Sequence, residues 1–580
     1  MWHALKSLAI TFMAMAASSL ARPLKDTPYT NPILGGWHSD PSCIYVADHD
    51  TTFCVTSTFI AFPGLPIYAS KDLQNWKHVS NVFNRASQIP SLAETTDQQG
   101  GIYAPTLRYH EGKFYLIVSF LGPQVKGLVF STDDPFRDDA WSEPLEFSVR
   151  GIDPDIFWDD DGTVYVTSAD NNRIQSYSLD LETGATGPVS YLWNGTGGVY
   201  PEGPHLYRKD GYYYLMIAEG GTELGHRETM ARSKHRTGPW EPHPANPLLS
   251  NKNTTEYFQT VGHADLFQDG HGNWWAVALS TRSGPEWLSY PMGRETVLVP
   301  ATWEKGQWPV IRPVRGAMQG PLPRSDRGGL KGKGIEGGSF AGDPDKVDFV
   351  PGSSLPPHFL YWRFPKDDDD AFTVSPHGHH NSLRIKPSFH NITGDAGFQP
   401  SDGTSLILRR QTDTIFTYGV DISFSPRARD EEAGVTLFLT QHQHVDLGIV
   451  LLKTDEGKDS LSFRFRPTGR GNFEGPLSTE VVPVPGDWKG ERIRLEIQAV
   501  SDSQYIFSAA PAGSQGKKKV IGEVDSLVVS GDTGRFTGTL VGAYATSNGG
   551  NGSTDAYFSK WRYKGQGQKI DHDVIVPSQD

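Results

Sequence analysis

Cysteine is scarce in this chain of 580 residues, which contains only Cys43 and Cys54. Two cysteines are too few for a cysteine-based metal site or a disulfide framework. Both lie in one short stretch of alternating apolar residues. A hairpin turning at Asp48 and His49 would set them nearly opposite each other, so the pair forms either one cross-strand disulfide or two buried thiols.

Long apolar runs and long stretches of helical periodicity are also missing. After the first residues, no apolar stretch reaches the length that spans a bilayer. No extended 3.6-residue period supports an α/β enzyme. The net charge of −14 argues against nucleic acid or an anionic membrane as the partner.

The first 21 residues have the pattern of an export signal. Lys6 precedes a short apolar stretch at 8–17, and the small residues at 19–21 fit a cleavage site. A buried N-terminal helix is the alternative interpretation. Four glycosylation acceptors of the form N-x-S/T agree with export: Asn194, Asn253, Asn391 and Asn551. We therefore expect a secreted, extracellular glycoprotein.

Glycine, proline and aromatic residues are plentiful. The 62 glycines and 41 prolines suit many short strands joined by tight turns. Aromatic residues make up 11% of the chain, and flat rings of this kind often line sugar-binding surfaces.

One pattern recurs five times in the first three hundred residues. Each copy has a small or acidic opening, a short apolar strand, a polar turn and a second apolar strand. The copies open at Asp40, Ala104, Asp153, Glu202 and His263. A repeat of roughly 50 to 60 residues is typical of β-propeller blades. The openings should then converge on the central axis, where three of the five are carboxylates.

These patterns predict an all-β protein of two main domains. Residues 22–315 should form a five-bladed β-propeller that carries the catalytic site. Glycines crowd the segment 316–345, which is typical of a linker or a surface strap. Period-two alternation at 404–411, 418–424, 434–439 and 492–497 predicts a β-sandwich over 346–565. A tail at 566–580 would follow. The acidic run 367–370 is interpreted as a solvated turn, with a cation site as the alternative.

The three carboxylates suggest acid–base chemistry. Carboxylates that share a dry pocket cannot all ionise normally, so their pKa values spread apart. Hydrolysis of an acetal needs one carboxylate that activates water and one protonated carboxyl that gives its proton to the leaving oxygen. A third carboxylate can orient the acid and tune its pKa. The alternative is that each Asp before Pro merely forms a turn.

The motifs at these positions resemble glycoside hydrolase family 43, of the fungal two-domain β-xylosidase/α-L-arabinofuranosidase kind. The resemblance extends from Pro32 to about Tyr563. It rests on His-Ser-Asp-Pro-Ser at 38–42, Gly-Gly-Ile-Tyr-Ala-Pro at 100–105, Ile-Asp-Pro-Asp at 152–155, Glu-Gly-Pro-His at 202–205, Val-Gly-His-Ala-Asp at 261–265 and Gly-Arg-Glu-Thr at 293–296. The stretch 430–438 is similar to the concanavalin-A-like sandwich that often follows this propeller.

The resemblance implies roles for the three carboxylates. Asp40 would be the general base, Glu202 the general acid, and Asp153 the residue that modulates the pKa of Glu202 and orients it. The family inverts anomeric configuration, which requires base and acid roughly 6.5–9.5 Å apart.

The resemblance also implies substrate-binding residues. Phe59 and Tyr103 would wall the terminal-sugar subsite, and Tyr103 stands where Trp is common. Arg294 would hydrogen-bond sugar hydroxyls, and His263 would be the axial histidine that touches calcium or water in some members. The alternatives are a core aromatic for Phe59, a hydrogen-bonded core histidine for His263 and a structural ion-pair partner for Arg294. No cofactor is required, and a structural calcium is an optional addition.

The favoured function is therefore an exo-acting inverting hydrolase that releases α-L-arabinofuranose, β-D-xylose or both from arabinoxylan, xylan or their oligosaccharides. Arabinofuranose is slightly preferred. The partner would be a plant cell-wall polysaccharide or oligosaccharide, with no nucleic acid and no membrane. The alternatives are a retaining propeller that cleaves fructan or sucrose, and a non-catalytic carbohydrate-binding propeller. The sandwich would either bind polysaccharide or, as we prefer, brace the propeller and lend a loop to the active-site rim.

Overall fold

The computed structural model describes residues 25–323, 335, 337–365, 370–454 and 456–578. The predicted export signal at 1–21 and most of the acidic run at 367–370 lie outside these residues. Within them, nine short 3-10 turns join the strands: Ala47–His49, Ala86–Gln88, Pro90–Glu94, Asp138–Ala140, Pro400–Asp402, Gly486–Trp488, Gln515–Lys517, Ser526–Val529 and Asp532–Gly534.

The N-terminal half of the chain folds into consecutive antiparallel sheets. After β1 (Thr27–Thr30), the first sheet contains β2 (Ser42–Val46), β3 (Thr51–Val55), β5 (Gly64–Ser70) and β6 (Lys77–Phe83), with β4 (Ala61–Phe62) paired elsewhere. The second contains β7 (Gly101–His110), β8 (Lys113–Leu121), β9 (Val125–Thr132) and β10 (Leu145–Phe147).

Three more sheets follow the same plan, each built from strands that are neighbours in sequence. The third contains β11 (Ile152–Trp158), β12 (Val164–Asp170), β13 (Arg173–Ser178) and β14 (Ser190–Tyr191). The fourth contains β15 (Glu202–Lys209), β16 (Tyr212–Glu219), β17 (Arg227–Ser233) and β18 (Glu241–Pro242). The fifth contains β19 (Phe258–Gln268), β20 (Trp274–Arg282), β21 (Glu295–Thr302) and β22 (Val310–Ile311).

The innermost strands of the five sheets contact one another in a closed cycle. β2 touches β7, β7 touches β11, β11 touches β15, β15 touches β19, and β19 returns to β2. This arrangement is a propeller, because each sheet presents its first strand to a common axis. The first residues of these strands therefore lie around one axial pocket.

The polar turn of each repeat is explained by backbone geometry. Four of the five inner hairpins turn on a glycine with positive φ, at Gly112, Gly162, Gly211 and Gly272, with φ between 76° and 83°. Glycine adopts this left-handed conformation without a steric penalty, which is why a glycine recurs in the turn of these repeats. The first hairpin turns on Asp50 instead, with φ 47°.

The two cysteines lie in that first hairpin. Cys43 on β2 is directly opposite Cys54 on β3, and the two form a disulfide. Of the two alternatives that the sequence left open, the disulfide is therefore confirmed.

The connecting segment adds strands to both halves of the molecule. β23 (Ala317–Gly320) pairs with β1, β24 (Ser339–Phe340) extends the first sheet beside β6, and β25 (Asp345–Val347) pairs within the C-terminal domain. β26 (Tyr361–Trp362) pairs with β4 of the propeller. The described residues of the predicted linker thus include β23, β24 and the first residue of β25, which pair with strands of both domains.

The C-terminal half is a β-sandwich of two antiparallel sheets. The larger sheet contains β25 together with β27 (Phe372–Val374), β28 (Leu383–Ile385), β30 (Ile415–Ser423), β35 (Ile493–Ala499), β36 (Gln504–Pro511), β37 (Lys519–Asp525), β39 (Ala556–Asp571) and β40 (Val574–Val576). The smaller contains β29 (Leu406–Arg410), β31 (Glu432–Thr440), β32 (Gln443–Lys453), β33 (Asp459–Thr468), β34 (Glu480–Pro483) and β38 (Leu540–Thr546).

One apolar core joins the two sheets of the sandwich. Phe416, Tyr418 and Trp561 of the larger sheet belong to the same buried cluster as Val435 and Leu447 of the smaller one. The predicted C-terminal tail differs from the structure, since β39 continues to Asp571 and pairs with β40.

Three of the four predicted glycosylation acceptors are exposed. Asn194, Asn253 and Asn551 lie on the surface, while Asn391 is half-buried. None of the described helices is long and apolar enough to cross a membrane.

Candidate active site

Each of the last four inner strands is irregular at its opening. The pairing register shifts around residues 104–105, 153–154, 203–204 and 263–264. Such bulges are common next to active sites because they redirect a side chain out of the regular alternation. A proline lies at three of these openings and in the first repeat as well, which fits because proline cannot donate a ladder hydrogen bond.

The residue at each opening has a left-handed backbone. Asp40, Ala104, Asp153, Gly203 and His263 have φ between 41° and 55°. The equivalent residue of the fourth repeat is therefore Gly203, and the predicted opening at Glu202 is one residue too early. Two of the five equivalent positions are carboxylates, and Glu202 supplies the third carboxylate from the position before.

The glycine at the fourth opening lies close to a neighbouring ring. A Cβ on Gly203 would lie 3.2 Å from atoms of the His263 ring. The Gly203 N–H donates to Asp153 Oδ2 at 3.0 Å. This small residue thus brings the fourth and fifth openings together and links Asp153 to the segment that carries Glu202.

Asp40 is buried among donors. Ser57 Oγ donates to Asp40 Oδ2 at 2.6 Å, and Arg294 Nη1 donates to Oδ1 at 3.1 Å. His263 Nδ1 lies 3.8 Å from Oδ1. Burial alone would raise the pKa of Asp40, but the charge of Arg294, followed by His263 and the Ser57 hydroxyl, lowers that pKa below its ordinary value.

The orientation of Ser57 is fixed by a backbone group. The N–H of Ala104 donates to Ser57 Oγ at 2.8 Å, so the hydroxyl proton points towards Asp40. Ala104, at the second opening, has no functional side chain, but its backbone N–H orients the Asp40 carboxylate through Ser57. No motif in the sequence assigns a role to Ser57, which follows the first hairpin and reaches Asp40 only in the folded chain.

Glu202 has the opposite electrostatic surroundings. Burial, followed by the charges of Asp153 and Asp40, raises the pKa of Glu202 to about 8. Burial also raises the pKa of Asp153, assisted by the charge of Asp40 and opposed by His263 and the Gly203 N–H. Near neutral pH the pocket therefore holds an ionised Asp40 and a protonated Glu202.

Arg294 joins the propeller to the sandwich at this site. Besides Asp40, its Nη1 donates to Thr222 Oγ1 at 3.1 Å, and its Nε donates to the carbonyl of Phe536 at 3.0 Å. Phe536 belongs to the sandwich, in the loop before β38. The guanidinium carbon lies 5.3 Å from the centre of the Phe536 ring and 5.8 Å from that of Phe59.

The predicted aromatic residues lie together but differ in exposure. Phe59 packs edge-on to Tyr103 with ring centres 4.8 Å apart, and Trp37 stacks on its other side at 5.9 Å. Phe59 is fully buried, whereas Tyr103 is partly exposed. Phe59 therefore has no exposed surface to offer a sugar, whereas Tyr103 and Phe536 are partly exposed.

His263 is held in place from behind by a buried carboxyl. The N–H of Ala264 donates to Glu228 Oε1 at 2.9 Å. Burial, opposed by hydrogen bonds from this backbone, raises the pKa of Glu228 well above its ordinary value. Neither Glu228 nor Phe536 could be assigned from the sequence, because each reaches the site through packing between distant segments.

A propeller with an ionised and a protonated carboxyl in its axial pocket has the features of a glycoside hydrolase. The family model described as glycosyl hydrolases family 43 matches residues 29–309, and the one described as beta xylosidase C-terminal concanavalin A-like domain matches 346–564. The chain belongs to glycoside hydrolase family 43.

Similar proteins cover nearly the whole chain. The non-reducing end alpha-L-arabinofuranosidase BoGH43B of Bacteroides ovatus is 34% identical over 565 residues, which are 95% of this chain and 96% of that protein. A xylosidase/arabinosidase of Butyrivibrio fibrisolvens is 31% identical, covering 90% and 96%. Both are bacterial, so the expectation of a fungal kind gains no support from them.

Solved structures share the fold over the same extent. The Bacteroides ovatus xyloglucan PUL GH43B has a TM-score of 0.79 at 33% identity, covering 93% of this chain and 99% of that one. The xylan beta-1,4-xylosidase of Bacillus halodurans C-125 has a TM-score of 0.78 at 27% identity, covering 92% and 99%. The propeller and the sandwich are therefore both family features.

Enzymes of this family need no cofactor. In the part of the chain that the structure describes, no three His, Cys, Asp or Glu side chains are grouped to hold a metal ion. The described part of the acidic run, Asp370, pairs with Arg384.

Proposed function

We propose that the chain is a secreted, exo-acting, inverting glycoside hydrolase that releases terminal pentoses from arabinoxylan, xylan or their oligosaccharides. The five sheets are its five blades, and the axial pocket is its active site. One observation carries the proposal. Asp40 and Glu202 have pKa values displaced in opposite directions within one pocket.

Hydrolysis would follow from these protonation states. Asp40 accepts a proton from water as the water oxygen bonds to the anomeric carbon. Glu202 gives its proton to the glycosidic oxygen as the bond from that oxygen to the anomeric carbon breaks. Because water attacks opposite the leaving group, the configuration inverts. The Asp153 charge keeps Glu202 protonated, and the Asp153 link to Gly203 orients the acid.

Arg294 has both of the roles considered for it. It forms an ion pair with Asp40 and keeps this base ionised, and a planar guanidinium at the pocket can also donate to sugar hydroxyls. Tyr103, together with Phe536 from the sandwich, would contact the terminal sugar, with Phe59 as the support behind them. The sandwich braces the propeller and completes the rim.

The sugar is proposed from the chemistry of the relatives. One is named an arabinofuranosidase and another a xylosidase/arabinosidase, and a Bacillus subtilis beta-xylosidase is 30% identical over 565 residues. Terminal arabinofuranose and xylose present similar hydroxyls, so one pocket can accept both, with arabinofuranose preferred. Export is supported by the leader pattern and the exposed acceptors Asn194, Asn253 and Asn551.

The test is product analysis with four substrates: arabinoxylan, xylobiose, inulin and sucrose. We expect single pentoses from the first two and nothing from the others, with release abolished in Glu202→Ala. A Glu223→Ala variant, which removes a partly exposed carboxylate near the pocket, serves as the matched control and should stay active. Release of fructose would favour the retaining alternative. Binding without release from any substrate would favour a carbohydrate-binding propeller.

A further inference from the structure

A cavity lies at the junction of the propeller and the sandwich. It has a volume of about 420 Å³. Its wall includes Tyr68 and His78 of the first sheet, His358 of the connecting segment, and Arg409 and Arg410 of β29. All three parts of the chain thus meet around one space, which we call the junction cavity.

Arg410 is a buried cation on this wall without a counter-ion. Only 7% of its surface is exposed. Its Nε donates to the carbonyl of Trp37 at 2.8 Å, and its guanidinium carbon lies 5.3 Å from the centre of the Trp37 ring. Among the described residues, no carboxylate forms an ion pair with Arg410, and no acceptor is bonded to its two terminal nitrogens.

The other charged groups of the junction cavity are already matched or exposed. Arg409 pairs with Asp345 at 3.2 Å, and Asp345 also accepts from His358 Nε2 at 3.0 Å. Asp343 accepts from a backbone N–H, and Lys346 is exposed. The cavity therefore carries one unmatched buried positive charge.

The neutral neighbours have no spare donors for an anion. His38 Nδ1 donates to the carbonyl of Gly35 at 3.1 Å, so its Nε2 accepts from the Tyr68 hydroxyl at 2.7 Å. His78 Nε2 donates to Asn81 Oδ1 at 3.1 Å, and burial lowers the pKa of His78 to about 3. The free donors of the junction cavity include both terminal nitrogens of Arg410, together with Arg409 Nη1, which has no hydrogen-bond partner among the described residues.

An unpaired guanidinium costs several kcal/mol to bury, so buried arginines normally have an anionic partner. The forked donors of arginine fit two oxygens of one anion. We propose that the junction cavity binds a small oxyanion, of the phosphate, sulfate or carboxylate type, through Arg410. The bound anion would tie β29 of the sandwich to the first propeller sheet.

The test is calorimetric unfolding of the full-length protein with phosphate, sulfate or acetate, each matched to chloride at equal ionic strength. At ten times the dissociation constant of the bound anion we expect Tm to rise by about 1 °C. Arg410→Gln should abolish the rise, and Arg410→Lys should weaken it. Arg312→Gln, which removes an exposed arginine paired with Asp26, is the control and should keep the full rise.

Which anion raises Tm identifies the type of oxyanion. The proposal is overturned if none of the three raises Tm, or if the rise persists in both Arg410 variants. It is also overturned if Arg294→Gln abolishes the rise while Arg410→Gln keeps it, since the anion would then occupy the active site. Because unfolding needs no turnover, the result is independent of the proposed glycosidase activity.

Discussion

At the scale of single residues, the neighbours of two carboxyls in the candidate active site give them different pKa values. Asp40 has a cation and a hydroxyl donor beside it, whereas Glu202 has two other carboxylates. Desolvation raises the pKa of both, so it alone cannot distinguish them. The difference comes from Arg294 and Ser57 on one side and Asp153 on the other.

This difference predicts the pH dependence of kcat/KM. The acid form of Glu202 is lost as pH rises through its pKa of about 8, so activity should fall above about pH 8. The pKa of Asp40 lies below the ordinary aspartate value, so its base form is lost only below that pH. On the acid side, activity should therefore fall only at such low pH. Rates measured from pH 3 to 10 on an aryl pentoside check both limits. An alkaline fall in kcat/KM centred near pH 6 would contradict the assignment of Glu202 as the general acid.

Glu202→Gln keeps the shape of the acid and removes its proton. We expect kcat on xylobiose to fall by about 100- to 10,000-fold. The loss should be smaller on a nitrophenyl pentoside, since that leaving group needs less protonation. Equal losses on the two substrates would mean that Glu202 acts by some means other than proton donation.

Asp153→Asn tests whether a neighbouring charge sets the pKa of the acid. The charge of Asp153 raises the pKa of Glu202, so the neutral amide should lower that pKa and move the alkaline limit of kcat/KM to lower pH. The asparagine oxygen can still accept the Gly203 N–H, which keeps the orientation. An unchanged alkaline limit in an active variant would rule out the modulating role.

At the scale of strands and turns, the sequence predicted the propeller repeats but not the register at the fourth opening. The five copies were visible because each needs the same hairpin turn and the same apolar strand. Glu202 was aligned with Asp40 because both are carboxylates. The residue equivalent to Asp40 is Gly203, since Gly203-Pro204 matches Asp40-Pro41. Only the backbone angles and the bulges reveal this match.

Gly203→Ala tests the close approach of the fourth and fifth openings. Gly211→Ala is the matched control, since Gly211 also has positive φ but a Cβ there would meet nothing within 4 Å. Both should lose roughly 1–2 kcal/mol of unfolding free energy for the left-handed backbone. Only Gly203→Ala should also lose activity, because its methyl group pushes on the His263 ring. Denaturant unfolding and kcat/KM measure the two effects, and equal activity in both variants would contradict the account.

At the scale of the whole molecule, the sandwich contacts the candidate active site through Phe536, which packs on Arg294. Its strands could be predicted from period-two alternation, and its bracing role was preferred. The residue that completes the site, Phe536, lies almost five hundred positions from Asp40 in the sequence. Contacts between such distant segments depend on how the domains pack, so no local sequence pattern predicts them.

Phe536→Ala should lower kcat/KM by about tenfold, since the Arg294 guanidinium would lose one of the two rings beside it. Phe389→Ala is the control, because Phe389 is an exposed phenylalanine elsewhere on the sandwich. Thermal unfolding should show both variants folded. Unchanged kinetics in Phe536→Ala would mean that the sandwich only braces the propeller.

The stereochemistry of the first product tests the central assignment most directly. Proton NMR within minutes of adding enzyme to arabinoxylan or xylobiose shows the anomeric signal before mutarotation. With Asp40 as base and Glu202 as acid, the pentose must first appear with inverted configuration, β-arabinofuranose or α-xylose. A product that first appears with retained configuration would contradict the account, because it requires a carboxylate nucleophile in place of an activated water.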